Sequence, residues 1–232
     1  MARHRPAAEG GYQRGEETRA RIIEAALGLF GTHGFDGAST RDIARAAGVN
    51  APALQYYFDN KEGVYLACIQ YIVDLCWVRL DHNVSAAEAL LAQPDASDDA
   101  LIEAYLAIQA QFIGFATDNA GTDPWRQFLA RERAGLGPPA AAAVFERGLN
   151  RRLFGVTSAL IGRLTGRPAD DEITRIRTIA IDGQGAAFPM KKRNVMRALG
   201  WEALGPEETA RIQRVIREQT RLLLRALVAA RV

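Results

Sequence analysis

The stretch from Ser39 to Phe58, STRDIARAAGVNAPALQYYF, decides how the chain is read. Ser39 stands three residues before Asp42, a capping-box-like spacing that starts a helix at Thr40 or Arg41. Gly48 ends that helix. Asn50 is suited to cap the next helix, and Pro52 falls in its first turn, where a missing N–H costs little. Ile43, Ala44, Val49, Leu54 and Phe58 hold the two short helices together, so the pattern is a helix-turn-helix. With Leu54 turned inward, Pro52, Ala53, Gln55 and Tyr56 point sideways or outward. Tyr57 lies near the inner face, and its helical phase leaves core packing and an outward contact equally open.

The outward residues are hydrogen-bonding, flat or small, and none is acidic. A glutamine amide donates and accepts at once and can pair with adenine in bidentate fashion, while Ala53 and Pro52 let the backbone approach and can touch a thymine methyl. Tyr56 can place its hydroxyl on a phosphate. Thr40, Arg41 and Lys61 sit at helix N-terminal ends, where free N–H groups also attract phosphate. Geometry alone leaves two readings, a duplex-reading surface or a structural pair of helices. A helical adaptor that binds protein through the same surface would show apolar residues at 52–56, which Gln55 and Tyr56 oppose.

Working outward, apolar Ile22, Ile23, Ala26, Leu27 and Phe30 recur at three and four and predict a helix from about Glu17 to His33, stopped by Gly34. Residues 1–15 show no period and are expected to form a mobile arm. A fourth helix is expected from Lys61 to about Leu80. Further helices are expected at 85–92, 98–117, 124–134, 139–165, 170–188, 190–199 and 206–230, with Gly, Pro, Asp and Asn in the joints. The predicted fold is all-α: a flexible arm (1–15), a small three-helix head (16–62) and a larger helical body (63–232), linked by the fourth helix.

Charge is distributed against the simplest expectation. The net charge is +2, made of a neutral first 62 residues, −4 over 63–189 and +6 over 190–232. Counting would place an acidic partner at the C-terminal end, around Lys191, Lys192 and Arg193. Arginines 211, 214, 217, 221 and 225, however, recur at helical spacing and read as one solvated face. Cys68 and Cys76 lie in an apolar helical run with no C-x-x-C pair, which predicts buried thiols and no metal set. The N-terminus lacks the apolar centre of a signal peptide, so a cytoplasmic protein is expected.

Residues 18–65, TRARIIEAALGLFGTHGFDGASTRDIARAAGVNAPALQYYFDNKEGVY, resemble the N-terminal domain of the tetracycline-repressor (TetR) family of bacterial transcription regulators. The resemblance implies a homodimer that binds a palindromic operator and represses until a small molecule occupies the body. It implies Thr40 on phosphate, Arg41 on a base or phosphate, Ala51, Pro52, Ala53 and Gln55 facing bases, and Tyr56, Tyr57 and Lys61 on the backbone. Many members carry Tyr directly after the Leu of the recognition helix; here Gln55 stands there, so base preference is not transferable.

Residues 183–201, GQGAAFPMKKRNVMRALGW, look like the C-terminal domain of the CecR-like subgroup. The family commonly dimerises through two body helices. Two apolar stripes qualify: Val144, Phe145, Leu149, Leu153, Val156, Leu160 and Leu164, and, on the last helix, Ile212, Val215, Ile216, Leu223 and Leu227. Core packing is the alternative for both stripes, and for the last helix the two readings are equal. Trp77, Tyr105, Phe112, Phe115, Trp125 and Phe128, with Glu132 and its neighbours Arg131 and Arg133, could line an apolar effector pocket; aromatic residues at helical spacing are also ordinary core. No G-x-S-x-G, phosphate-binding glycine loop, H-E-x-x-H or dinucleotide fingerprint occurs, so neither catalysis nor a cofactor is expected.

Overall fold

The computed structural model describes residues 7–117 and 124–231. Among them every regular element is helical: α1 (Ala7–Gly37), α2 (Thr40–Ala46), α3 (Ala51–Phe58), α4 (Lys61–Leu91), α5 (Asp98–Thr117), α6 (Pro124–Arg133), α7 (Ala140–Phe145), a π-helical turn (Glu146–Asn150), α8 (Arg151–Thr165), α9 (Glu172–Met190), α10 (Lys192–Leu199) and α11 (Pro206–Ala229).

Three expectations are corrected. The N-terminal helix begins at Ala7, so residues 7–15 are helical where a mobile arm was expected; residues 1–6 of that arm lie outside the described residues. Apolar periodicity detects only turns that bury a stripe, and a polar first turn leaves no such trace. At the other end, α1 bends at Gly34, whose φ of 76° is open to glycine at no steric cost. Second, α4 runs unbroken to Leu91 instead of stopping near Leu80. Buried Cys76, Leu80, Val84 and Ala87 continue one face at spacings of four and three, and no Gly or Pro interrupts them. Third, the long helix expected over 139–165 contains a π-helical turn.

Packing divides the chain differently from the predicted boundary at residue 62. One unit joins the chain up to Asp74 with the segment ending at Glu146; the other joins Leu75 onward with Arg147 to the C-terminal end. In the first, Ile22, Leu27, Phe30, Ile43, Leu54, Phe58 and Phe128 form the core. Its aromatic centre is tight: the Tyr65 ring lies 4.9 Å from Phe30, 5.3 Å from Phe35 and 4.6 Å from Phe128. Helix α6 therefore supplies core to the unit that holds the helix-turn-helix. Arg131 fastens it further, donating from Nε to the Gly31 carbonyl (2.6 Å) and from Nη2 to the Thr32 carbonyl (2.7 Å), two acceptors left open near the bend of α1. Gly31 permits the crossing, since a Cβ there would stand 3.1 Å from Gln127 Cβ and 3.2 Å from the Pro124 carbonyl oxygen.

In the second unit, α5, α8, α9 and α11 enclose Leu101, Tyr105, Ile113, Leu160, Ile161, Leu164, Ile181, Ile212, Ile216 and Leu224. Phe188 and Trp201 pack against the cluster of Ile113, Leu204, Ile212 and Ile216. Helix α9 turns its small residues inward: Thr174, Thr178 and Gly185 are buried, and a Cβ on Gly185 would sit 2.6 Å from Ile113 Cγ1. Its isoleucines 173, 176 and 179 face outward at 42, 54 and 62% exposure. On α11, Arg217 and Arg221 share Glu103, Arg225 pairs with Asp99, and Arg231, beyond the helix, pairs with Asp98. Much of the basic C-terminal charge is thus neutralised by the acidic edge of α5. By length and composition α4 and α5 could cross a bilayer, but half of each such stretch is buried inside the protein.

Candidate nucleic-acid interface and effector region

Helix α2 is started by its cap. The Asp42 amide donates to Ser39 Oγ (3.1 Å), and the Ser39 hydroxyl donates to Asp42 Oδ2 (2.6 Å). Asp42 also holds the exposed Arg45 by an ion pair of 2.5 Å. The turn closes through the Val49 amide on the Ala44 carbonyl (2.9 Å), and Gly48 takes the left-handed conformation, φ 65°. Asn50 then caps α3, its Oδ1 accepting from the Ala53 amide at 2.8 Å.

These constraints orient α3 without ambiguity. Leu54 and Phe58 are buried, whereas Ala51, Pro52, Gln55 and Tyr56 share one solvent-facing side. Tyr56 is 84% exposed. Ala53 and Tyr57 are half-buried at its margins. Tyr57 stands edge-on to Tyr56 with ring centroids 5.3 Å apart, and its hydroxyl lies 3.8 Å from where a Cβ on Gly15 would be. The early turns of α1 thus reach the recognition helix. On α2, Arg41 is exposed and Thr40 half-buried.

The step from α3 to α4 is sharp. Asp59 adopts a positive φ of 54°, and Asn60 Oδ1 accepts from the Gly63 amide at 2.8 Å, so Asn60 caps α4. Gly63 is required, because a Cβ there would lie 2.2 Å from the Phe58 carbonyl oxygen, a backbone atom that cannot step aside. Lys61 stands at this start with Nζ 4.5 Å above the Phe35 ring. Sequence reading had passed over Arg45 and Gly63. The spacing of Arg41 and Arg45 by one helical turn is the signal that could have found the arginine; nothing local marks Gly63.

The proposed effector residues are divided between the two units. Phe128 belongs to the aromatic centre of the first unit, where Glu132 accepts a hydrogen bond from the Tyr65 hydroxyl at 2.8 Å. Burial and the adjoining Glu132 carboxylate push the Tyr65 phenol up. Trp125 lies in the same unit and is half-buried. Burial also raises the Cys68 thiol, which is closed to solvent as expected.

In the second unit Tyr105 and Phe115 are buried in the core, Phe112 is half-buried, and Trp77 lines an open cavity with Val78, Asp81, His82, Ser85 and Ala86. Aromatic composition could not separate these fates, since burial depends on which helices meet. Tyr105 has a specific task. Its hydroxyl donates to Asp182 Oδ1 at 2.5 Å, and Thr157 Oγ1 donates to Oδ2 at 3.3 Å. Burial nonetheless pushes the Asp182 carboxyl up to about 6. Of the stripe at 144–164, Val144 and Phe145 belong to the first unit, while Leu149, Val156, Leu160 and Leu164 are buried in the second; α11 instead splits, burying Ile212, Ile216 and Leu224 while Val215, Leu222 and Leu223 stay exposed.

Comparison with known proteins agrees with this geometry. The family model described as bacterial regulatory proteins, tetR family, matches residues 22–68, and that of the HTH-type transcriptional dual regulator CecR, C-terminal domain, matches residues 101–227. CecR of Shigella flexneri is 33% identical over 92% of this chain and 94% of its own length. A transcriptional regulator from Pseudomonas aeruginosa PAO1 shares the fold with a TM-score of 0.60 at 18% identity, covering 91% of this chain and 94% of that one. FadR of Bacillus subtilis, solved in complex with stearoyl-CoA, does so with a TM-score of 0.56 at 14% identity, covering 85% and 96%. Fold and helix-turn-helix define a DNA-binding transcription regulator, not an enzyme. The chain belongs to the TetR family, with a C-terminal domain of the CecR type.

Proposed function

We propose that this regulator binds a palindromic operator as a homodimer, reads it with α3, and acts as a repressor released by a small molecule bound in the body. The observation that carries the reading is the solvent-facing side of α3, where Ala51, Pro52, Gln55 and Tyr56 converge while Leu54 and Phe58 anchor the helix. Ala51, Pro52, Ala53 and Gln55 are assigned to base edges, Thr40, Tyr56, Tyr57 and Lys61 to the phosphate backbone and Arg41 to a base or phosphate, with residues 16–62 as the DNA-binding part and 63–232 as the part that binds ligand and dimerises. A cytoplasmic location follows from the need to reach DNA. The stearoyl-CoA complex of the Bacillus subtilis neighbour supports a small-molecule effector.

Selection of duplexes from a random pool by the purified protein supplies the operator for the test. Gln55→Ala is expected to lose about 1–3 kcal/mol of discrimination between that duplex and random DNA. Lys61→Ala should instead weaken both alike and lower the salt slope by about one. An equal loss for Gln55→Ala on every duplex removes it from base reading.

Dimerisation is assigned to α9 and α11. Ile173, Ile176 and Ile179 on one, and Val215, Leu222 and Leu223 on the other, are exposed apolar side chains on two neighbouring helices, a pattern that costs free energy unless a partner covers it. Two-fold pairing also suits a palindromic operator, whose half-sites present successive major grooves about 34 Å apart. Glutamates at both Ile176 and Leu222 are expected to give monomers in sedimentation velocity and to abolish operator binding at concentrations where the parent protein is dimeric. Retention of the dimer by the folded double variant would move the interface elsewhere.

A further inference from the structure

The cavity beside Trp77 is built in an unusual way. Asp81, Ser85 and Glu88 follow Trp77 along one side of α4, and all three hold the guanidinium of Arg152 from α8. Nη1 donates to Asp81 Oδ1 (2.7 Å), Nη2 to Ser85 Oγ (2.9 Å) and Glu88 Oε2 (2.8 Å), and Nε to Glu88 Oε1 (3.0 Å). The Arg152 Cζ atom also stands 4.7 Å from the centroid of the Trp77 ring. Two carboxylates, a hydroxyl and an indole face are together a receptor for an organic cation, and the protein's own arginine fills it.

Three further observations separate this from an ordinary surface ion pair. First, the cage opens on a cavity of about 700 Å³ lined by Trp77, Val78, Asp81, His82, Ser85 and Ala86, with Val78 84% exposed, so apolar and acidic walls adjoin. Second, the indole is held in place: Trp77 Nε1 donates to the Gly148 carbonyl at 2.6 Å, and Gly148 lies in the π-helical turn that precedes Arg152. Such turns are rare and concentrate at functional sites. Third, the two carboxylates share a single guanidinium, so this trio keeps an excess negative charge. Side-chain exposures of 38% for Arg152, 59% for Asp81 and 41% for Glu88 leave the pairs screened by solvent and replaceable.

We propose that this cavity binds an amphiphilic organic cation, whose head displaces the Arg152 guanidinium from Asp81 and the Trp77 face and whose apolar body lies along Trp77 and Val78. An anion of the same shape would meet Asp81 and the negative face of the indole and be rejected. Displacing Arg152 breaks the ion pairs that tie the start of α8 to α4 within this unit, while Arg163 still holds the Leu91 carbonyl at the other end, which makes the bound cation a release signal. That consequence rests on the ligand-responsive reading above; the binding itself does not.

Dodecylguanidinium, below its critical micelle concentration, is the probe, with dodecanoate as the anionic control. Titration calorimetry of the full-length protein is expected to show one site per chain for the cation and at least about tenfold weaker binding of the anion. Asp81→Asn should weaken the cation about tenfold. Arg152→Met, which removes the internal competitor, should tighten it about tenfold, whereas a merely structural arginine would make the same variant weaker. Arg152→Lys, which keeps charge and stem but loses the planar fork, serves as the second variant if Arg152→Met does not fold, and should tighten binding by a smaller factor. Equal affinity for dodecanoate, or weaker cation binding by a folded Arg152 variant, overturns the proposal. Operator release is followed separately by anisotropy. Binding without release removes the regulatory reading and keeps the site, and release that is unchanged in Asp81→Asn removes the site and keeps the regulatory reading.

Discussion

Phe128→Ala is expected to cost the DNA-binding unit about 3–5 kcal/mol and to abolish operator binding near the temperature where that unit melts. The residue lies far along the chain from the helix-turn-helix, yet it is 1% exposed, 4.6 Å from the Tyr65 ring and 6.3 Å from Phe30. Truncation removes a whole ring from a packed aromatic centre whose other members sit on α1 and α4, and those helices cannot close the gap without moving the junction that Asn60 caps. Arg131 holds the two Gly31 and Thr32 carbonyls from the same helix, so α6 would loosen as well. Leu136→Ala, at a position 57% exposed, is the control and should change stability by less than about 0.5 kcal/mol. Thermal melts followed by circular dichroism, with operator binding measured at matched temperatures, make the comparison. An unchanged melt for Phe128→Ala would mean that the first 74 residues fold and function without α6.

Asp182→Asn is expected to stabilise the protein by up to about 3 kcal/mol at pH 7–8 and by almost nothing below pH 4. The carboxyl titrates at about 6 in the folded protein, above the usual carboxylate value, because burial penalises the charged form more than Tyr105 and Thr157 stabilise it. Between about pH 4 and 6 the native state therefore holds a proton that the unfolded chain has released, and stability falls as pH rises. Above the folded value the whole penalty is present. Asparagine removes it while keeping the hydrogen bonds, since its oxygen still accepts from Tyr105 and its amide can donate to Thr157. Urea unfolding of parent and variant at pH 4.5, 6 and 8 tests the sign: a difference that does not grow with pH would show that Asp182 is ionised throughout.

The helix-turn-helix was legible in the sequence because each of its determinants is local. Ser39 caps three residues ahead, Gly48 supplies the left-handed turn, Asn50 caps again, and Leu54 and Phe58 repeat at one turn, so the outward side of α3 follows from helical geometry alone. The effector residues were not legible in this way. Trp77, Tyr105, Phe115, Trp125 and Phe128 look alike as apolar bulk, and the structure sends them to different surroundings. The arginines of α11 were read correctly as one face, but the acids of α5 that neutralise part of it lie more than a hundred residues away.

By itself, then, the amino-acid order determined the helices, most of their ends and the surface offered by α3, since caps, turns and i, i+4 spacing act within a few bonds of the residues that carry them. Only the tertiary structure decided that α6 completes the core around Tyr65, that α9 turns Thr174, Thr178 and Gly185 inward and Ile173, Ile176 and Ile179 out, that Asp182 meets Tyr105, and that Arg152 fills a cage on α4. Each of those depends on which helices cross and how closely, and that is set by side-chain volumes and charges brought together from distant parts of the chain.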